Sequence, residues 1–361
     1  MSNGPTAVRP RVERAIGVGV LVVVAVGPLI FDGYTVNSIL TYTFWAGTAA
    51  AGLIFLSSYA GMVSLAQVPI YGIAGFVLGN VVATGGNGGG GLNLGWNPWV
   101  GVVLGIAMAT VIALLFGALA SRSTGIYFLM ITLTYAVIAN LFFGQVADLS
   151  GFNGITSIQQ RMPAVIGSPN VHPDRLYYVA LVVALIGYAS IMYIVRTPFG
   201  VTLRGIRDDP VRMASLGYNV PLHRTLAFTF AGFIAAVAGI VNVWWIGEIA
   251  PSSIDLNAVL GLLIISVIGG LYRLEGAWLG AFAYVMINNY THTLSVPAIG
   301  GSFNTVIGLI FLAIVLVSPG GLFGIWDWAV GGGLYAAVGL ARRAISGRRA
   351  VASVETGGGE K

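Results

Sequence analysis

The chain has 361 residues, of which 57% are hydrophobic and only 8% charged, with a net charge of +5. Soluble domains carry about 25% charged residues, and so few charges cannot hydrate a soluble surface of this size; the composition points instead to a polytopic membrane protein. There is no Cys, there are three His, and the single Lys is Lys361. These facts exclude disulfide frameworks, thiol nucleophiles and Cys-bound metal, and they exclude the GxxxxGK[ST] phosphate loop, which needs an internal Lys.

Ten apolar segments follow in order: 16–31, 35–59, 65–84, 98–120, 125–144, 176–195, 225–246, 258–272, 276–291 and 303–317. They are continuous rather than alternating and too long for barrel strands, so the predicted fold is an all-α bundle of about ten membrane segments. The short, Gly-rich pair 258–272 and 276–291 is open to tilted, broken or re-entrant geometry. The first segment follows an Arg-rich stretch but lacks a small-x-small cleavage site, and reads as a retained span.

Positive charge orients the bundle. With the N-terminus inside and the segments alternating, Arg9, Arg11, Arg14, Arg122, Arg196, Arg204, Arg207, Arg212, Arg224, Arg273, Arg342, Arg343, Arg348, Arg349 and Lys361 fall inside, which is 15 of the 17 basic residues. Only Arg161 and Arg175 fall outside. The bias places both termini in the cytoplasm. It divides the chain into a cytoplasmic tail 1–15, a membrane domain 16–325 with a cytoplasmic loop at 196–224, and a cytoplasmic tail 326–361. The basic residues do not interleave with aromatics, so no nucleic-acid partner is expected; the partner they imply is the bilayer. The glycine run 85–91 reads as an outer spacer, and 145–175 as the longest outer connection, open to an external partner. Gly61-Met62-Val63-Ser64-Leu65 is echoed by Gly270-Leu271-Tyr272-Arg273-Leu274, a weak sign of internal duplication.

All twelve acidic residues lie outside the apolar runs or at their margins. A proton-coupled carrier usually keeps a carboxylate within the membrane, so proton coupling is disfavoured. The richest segment is 196–224, RTPFGVTLRGIRDDPVRMASLGYNVPLHR. Asp209 before Pro210 reads as an N-cap with a proline in the first turn, and Gly217 as a terminating glycine. The two-turn helix between them is too short to stand alone and needs a surface, either its own bundle or a partner.

Here a resemblance becomes specific. The stretch TPFGVTLRGIRDDPVRMASLGYNVPLHRTLAFTFAGFIAAVAG is similar to the cytoplasmic loop and following helix of the permease subunits of branched-chain amino acid ABC importers. GMVSLAQVPIYGIAGF, GIYFLMITLTYAVI, VIGGLYRLEGAWLGA and VIGLIFLAIVLVSPGGLFG resemble four further segments of that family, so the likeness runs over roughly 35–325. The chain departs from the usual pattern at Ala66-Gln67, where a Gly-His pair is common, and at Arg273 and Glu275. The resemblance implies a bacterial or archaeal plasma-membrane subunit that moves amino acids by alternating access. Its partners would be a second, homologous permease, two cytoplasmic ATP-binding subunits that use ATP and Mg, and an extracytoplasmic solute-binding protein; this chain would bind no cofactor or metal and have no catalytic residue. Sugars and urea-like short amides are the alternative cargoes, and a stand-alone secondary carrier is an alternative of another class.

On this reading Arg204, Arg207, Asp208, Asp209, Pro210, Met213, Ala214, Leu216 and Gly217 couple the bundle to the ATPases. Ser64, Gln67, Tyr127, Thr134 and Asn288 are the candidates for a polar path. Tyr127 and Thr134 are chosen because seven residues apart is one helical face. Their competing role is local: hydroxyls that bond back to their own helix. Asn242 and Asn289 are placed similarly to Asn288, and Trp244 and Trp245, near an outer helix end beside Glu248, read as interfacial anchors.

Overall fold

The computed structural model describes residues 27–28, 31–84, 91–156, 158–163, 166–167, 173–271 and 273–293, with positions 308, 312, 321 and 322. The expected spans 16–31 and 303–317, the glycine run apart from Gly91, and both tails fall mostly or wholly outside these residues.

The described residues are helical, with no strand among them beyond a single bridge between Ile155 and Ile249. The helices are α1 (Gly33–Ala60), α2 (Gln67–Val82), α3 (Pro98–Ala120), α4 (Ile126–Gln145), α5 (Pro173–Arg196), α6 (Pro198–Asp208), α7 (Pro210–Ser215), α8 (Val220–Ile246), α9 (Leu256–Gly269) and α10 (Gly276–Thr293). Five of them, α1, α3, α4, α5 and α8, are long and apolar enough to cross a membrane, and α2 and α9 are shorter apolar helices. This is the predicted all-α polytopic class.

The ends have local causes. Asn97 caps α3 by accepting from the Trp99 N–H at 3.0 Å, with Pro98 in the first turn. Asn219 caps α8 through the Leu222 N–H, and Asp255 caps α9 through the Ala258 N–H. Each satisfies a backbone donor that the helix itself cannot.

α1 is the centre. From Thr43 to Leu56 every residue is buried, and the sequence there is dominated by Ala, Gly and Thr. Without water to drive helices together, small residues that let backbones approach are what hold a membrane bundle. Gly52 faces the Ala231 carbonyl of α8, and Gly47 receives the Trp278 ring of α10. α2 and α8 pack on α1, and α3 packs on α2 and α8 through Gly105 against the Ala74 carbonyl and Gly117 against Phe228. α3 and α4 turn long apolar side chains outward, including Val103, Leu115, Leu119, Met130 and Ile138.

The helix ends sort into two groups. One holds 58–66, 121–125, 196–224 and 270–275, and carries Arg122, Arg196, Arg204, Arg207, Arg212, Arg224 and Arg273. The other holds 31–37, 91–97, 145–163 and 246–256, and carries Arg161, with Arg175 at the start of α5. At this second end the Asn80 amide uses both its donors and its oxygen: it donates to the Phe76 and Leu149 carbonyls and accepts from the Leu92 N–H. Ile155 and Ile249 exchange backbone hydrogen bonds at 2.7 and 3.0 Å. The connection after α4 is thus folded over its described residues 146–156 and 158–163, with Ile155 and Ile158 buried.

The internal echo has a structural counterpart. Gly61 ends α1 with φ +68°, Gly270 ends α9 with φ +110°, and each opens a six-residue link to the next helix at the Arg-rich end. The end of α1 touches the second link, the Ser58 hydroxyl donating to the Leu271 carbonyl.

Candidate functional site

The segment 196–224 holds more structure than one short helix. α6, read in the sequence as loop, starts at Pro198 after Thr197 and buries Gly200, Leu203 and Ile206 along one side. The signal was present: Thr197-Pro198 repeats the cap-then-proline pattern of Asp209-Pro210, and the buried positions are three apart. α7 forms where expected. Its Asp209 cap accepts from the Arg212 N–H at 2.9 Å, and Gly217 stands at φ +90°. Met213 folds α7 back onto α6, since a Cβ on Gly205 would lie 2.9 Å from its sulfur.

α6 is tied to the end of α1. Arg207 donates to the Ser58 carbonyl from one guanidinium nitrogen and pairs with Asp208 at 2.8 Å through another. Its stem lies across Gly61, where a Cβ would come within 2.7 Å of Arg207 Cγ, so both space and the positive φ demand glycine. Arg204 donates to the Val195 carbonyl at 3.0 Å and lies over the Tyr59 ring at 5.4 Å. The receiving stretch, Leu56–Ala60, is a π-helical turn, a local widening often found at functional sites; α1 has a second one at Val36–Thr41. A continuous chain therefore runs from α7 through α6 and Arg207 to Ser58, and from the Ser58 hydroxyl to Leu271 between α9 and α10.

What α7 leaves uncovered matters as much. Val211 is 75% exposed and Leu216 65%, on a segment otherwise rich in Arg and Asp. Ala214 is exposed beside them. Val211, Ala214 and Leu216 are thus bare on a charged helical turn that the rest of the described bundle does not cover.

The path candidates divide. Ser64 and Gln67 are fully buried, and neither amide atom of Gln67 has a hydrogen-bond partner. Its Oε1 is pressed beside Gly52 of α1. Tyr127 is 72% exposed, and Thr134 is exposed with its hydroxyl bonded back to the Met130 carbonyl at 3.0 Å. The structure does not bring these two to Ser64 and Gln67. The inward residue of α4 is Thr132, whose hydroxyl oxygen accepts from the Leu65 N–H at 3.2 Å. Asn288 is half-buried on α10, and its neighbour Asn289 accepts from the Tyr34 hydroxyl. Trp244 and Trp245 are not surface anchors: Trp244 is 5% exposed, and Trp245 donates to the Asn37 carbonyl at 2.8 Å. Helix α8 is central, so its outer end is covered by α1 rather than open to the interface.

Over residues 35–318 the chain matches the family described as "Branched-chain amino acid transport system / permease component". A probable branched-chain amino acid transport permease protein from Methanocaldococcus jannaschii is 29% identical over 152 residues, 41% of this chain and 47% of that protein. Autoinducer 2 import system permease proteins are also similar. The one from Klebsiella pneumoniae is 33% identical over 34% of this chain and 36% of its own length, and the one from Enterobacter sp. is 28% identical over 50% and 62%. The matched stretches thus cover between about a third and three fifths of these relatives' lengths. No solved structure matches the chain.

Proposed function

From the premise that the chain belongs to the branched-chain amino acid transport system permease family, we propose that it is the membrane subunit of an ATP-driven importer, worked from the cytoplasm through α6 and α7. The observation that carries this reading is the pair of bare side chains, Val211 and Leu216, on a capped turn that Arg207 links to the central helix. ATPase subunits would seat on α7, and their closure would push α6 against the π-helical end of α1 and rock the bundle. Asp208, Asp209, Pro210, Met213, Ala214 and Gly217 shape that turn, and Arg204 and Arg207 transmit. Residues 196–224 and both termini are then cytoplasmic. The cap at 145–163, with Phe152 exposed, faces the extracytoplasmic binding protein, and a second permease completes the pore. Ser64, Gln67 and Asn288 remain the proposed path residues; Tyr127 and Thr134 belong to the surface that meets lipid or the second permease.

Branched-chain amino acids are the first cargo reading. The second reading, import of an autoinducer 2-like solute, is favoured by the named relatives to the same degree. ATP and Mg belong to the partner subunits.

Two results test the reading. The purified chain alone, in liposomes, is expected neither to hydrolyse ATP nor to accumulate solute, because its only Lys is Lys361. Uphill uptake by this protein alone would make it a secondary carrier. Arg207→Ala is expected to leave the ATPases bound and hydrolysing while uptake falls at least tenfold, because the push on Ser58 is lost. Uptake and hydrolysis falling in proportion would remove Arg207 from the transmission.

A further inference from the structure

Among the described residues, seven buried side-chain atoms have no hydrogen-bond partner: Asn37 Oδ1, Trp45 Nε1, Gln67 Nε2 and Oε1, Arg224 Nε, Asn242 Oδ1 and Trp278 Nε1. A buried polar atom without a partner is unfavourable and rare, so each asks for a water or a ligand. Five of the seven lie on α1 or against it: Asn37 and Trp45 on the helix itself, Trp278 against Gly47, and both Gln67 atoms beside Gly52. From Asn37 to the level of Gly52 the helix climbs about 22 Å at ~1.5 Å per residue, roughly two thirds of a bilayer core. The unmet hydrogen-bonding capacity is therefore strung along the buried central helix.

It is densest in the outer half, where rings from four helices meet. Tyr42 and Trp45 of α1 lie 4.9 Å apart, Tyr42 and Trp245 of α8 5.5 Å, Tyr42 and Tyr284 of α10 6.4 Å, and Trp45 and Tyr71 of α2 6.2 Å between ring centres. Two of these polar tips are already engaged, the Tyr71 hydroxyl with the Ser253 carbonyl and the Trp245 N–H with Asn37. The Trp45 indole N–H is not, although the residue is 7% exposed. Nor is the Asn242 Oδ1, on a residue 2% exposed and one turn from Trp245 on α8.

We propose that these groups — Tyr42, Trp45, Tyr71, Trp245, Tyr284 and Asn242 — form a solute-binding station inside the single chain, selective for a small uncharged solute with an apolar face and hydroxyl or carbonyl groups. The proposal rests on the transport reading and, within it, favours the second cargo reading: a zwitterionic amino acid would carry two ionised groups into the station, an uncharged solute none. Ring faces supply flat apolar contact, and the free indole N–H and amide oxygen supply one donor and one acceptor. No Asp, Glu, Lys or Arg lies within α1, α2, α9 or α10; on α8 the single Arg224 is about five turns from Asn242, Glu248 beyond its end is exposed, and Asp255 is engaged in capping α9. An ionised group brought into the station would find no partner of opposite sign and would be strongly disfavoured.

The test uses the absence of native Cys in this chain. Asn242→Cys is placed in the complete importer in liposomes and challenged with a neutral hydroxyethyl and an anionic sulfonatoethyl methanethiosulfonate, each normalised to its rate with free thiol. Ala109→Cys, equally buried between α3 and its neighbours, is the control for dense packing. Expected are labelling of Asn242→Cys by the neutral reagent, at least tenfold faster during ATP hydrolysis, anionic labelling at least tenfold slower, and no labelling at position 109. Tyr284→Cys reads the same station at its less buried edge should Asn242→Cys fail to fold. No labelling of either in a complex that hydrolyses ATP and transports would overturn the station and leave the transport reading intact. Equal rates for the two reagents would overturn the uncharged class. Labelling of either variant, with no ATP-dependent uptake by the unsubstituted parent complex, would keep the station and count against the transport reading.

Discussion

Leu216→Asp is expected to abolish ATP-driven uptake, at least a hundredfold, while the chain still inserts and folds. Leu216 closes α7 as its C-cap residue and is 65% exposed, so nothing in the bundle depends on it. Its value lies in a contact outside the chain. A leucine buried in an interface pocket contributes about 1.5–3 kcal/mol of apolar burial, and a carboxylate desolvated in its place without a partner adds several kcal/mol of penalty. Their sum is enough to dissolve a docking surface as small as one turn. Insertion survives because the residue lies outside every apolar helix and the neighbouring arginines still hold the segment at the inner face. Expression, co-purification of the ATPases and uptake rate are the three readings. A variant that keeps its ATPases and transports normally would show that α7 is not the docking element; one that fails to express would place Leu216 in the bundle core.

The second large effect is on folding. Gly280→Leu is expected to eliminate the folded, monodisperse protein in detergent, with Gly280→Ala an intermediate case. α9 and α10 cross where Gly269, Gly276 and Gly280 put backbone against backbone: a Cβ on Gly280 would overlap the Ile265 carbonyl and lie 2.7 Å from the Gly269 nitrogen, and one on Gly269 would overlap the Gly276 carbonyl. Overpacking a core costs typically about 1–3 kcal/mol when side chains can yield. Here the obstacle is backbone, so the helices must part, and the loss exceeds that range. Gly187→Ala is the mild comparison, because its Cβ would meet only the Thr48 methyl at 3.3 Å. Thermal unfolding of the detergent-purified protein distinguishes them; a Gly280→Leu variant as stable as the parent would mean that α9 and α10 do not cross at these glycines.

The membrane class and most helix bounds were legible because hydropathy and capping are local. The span 98–120 and the Asp209-Pro210 start of α7 appear where the sequence puts them. α8 begins at Val220 rather than 225 because Asn219 caps it and Pro221 suits the first turn, although Arg224 made that stretch look like loop. What the sequence could not show is which spans are central. The buried α1 has mean hydropathy 1.6, below the 2.6 of the outward-facing α3. Bundle interior and bundle exterior are both apolar, and the interior is distinguished by small residues rather than by greater hydropathy. The same uniformity hid the phase of α4. Choosing Tyr127 and Thr134 by spacing picked the outer face, while Thr132, two positions and about 200° away on a helical wheel, reaches Leu65. The burial of Trp244 and Trp245 is likewise a tertiary fact, set by the passage of α1 across the outer end of α8.

The central claim is that α6 and α7 form a cytoplasmic element that an ATPase covers. A single Cys at Arg212, exposed on α7, in a chain with no native Cys, tests side and cover together with an impermeant thiol reagent. Expected are no labelling of intact right-side-out vesicles, full labelling when the inner face is opened, and protection when the ATP-binding subunits are added back; labelling from outside, or labelling from inside that the ATPases leave unchanged, would overturn this placement of α6 and α7.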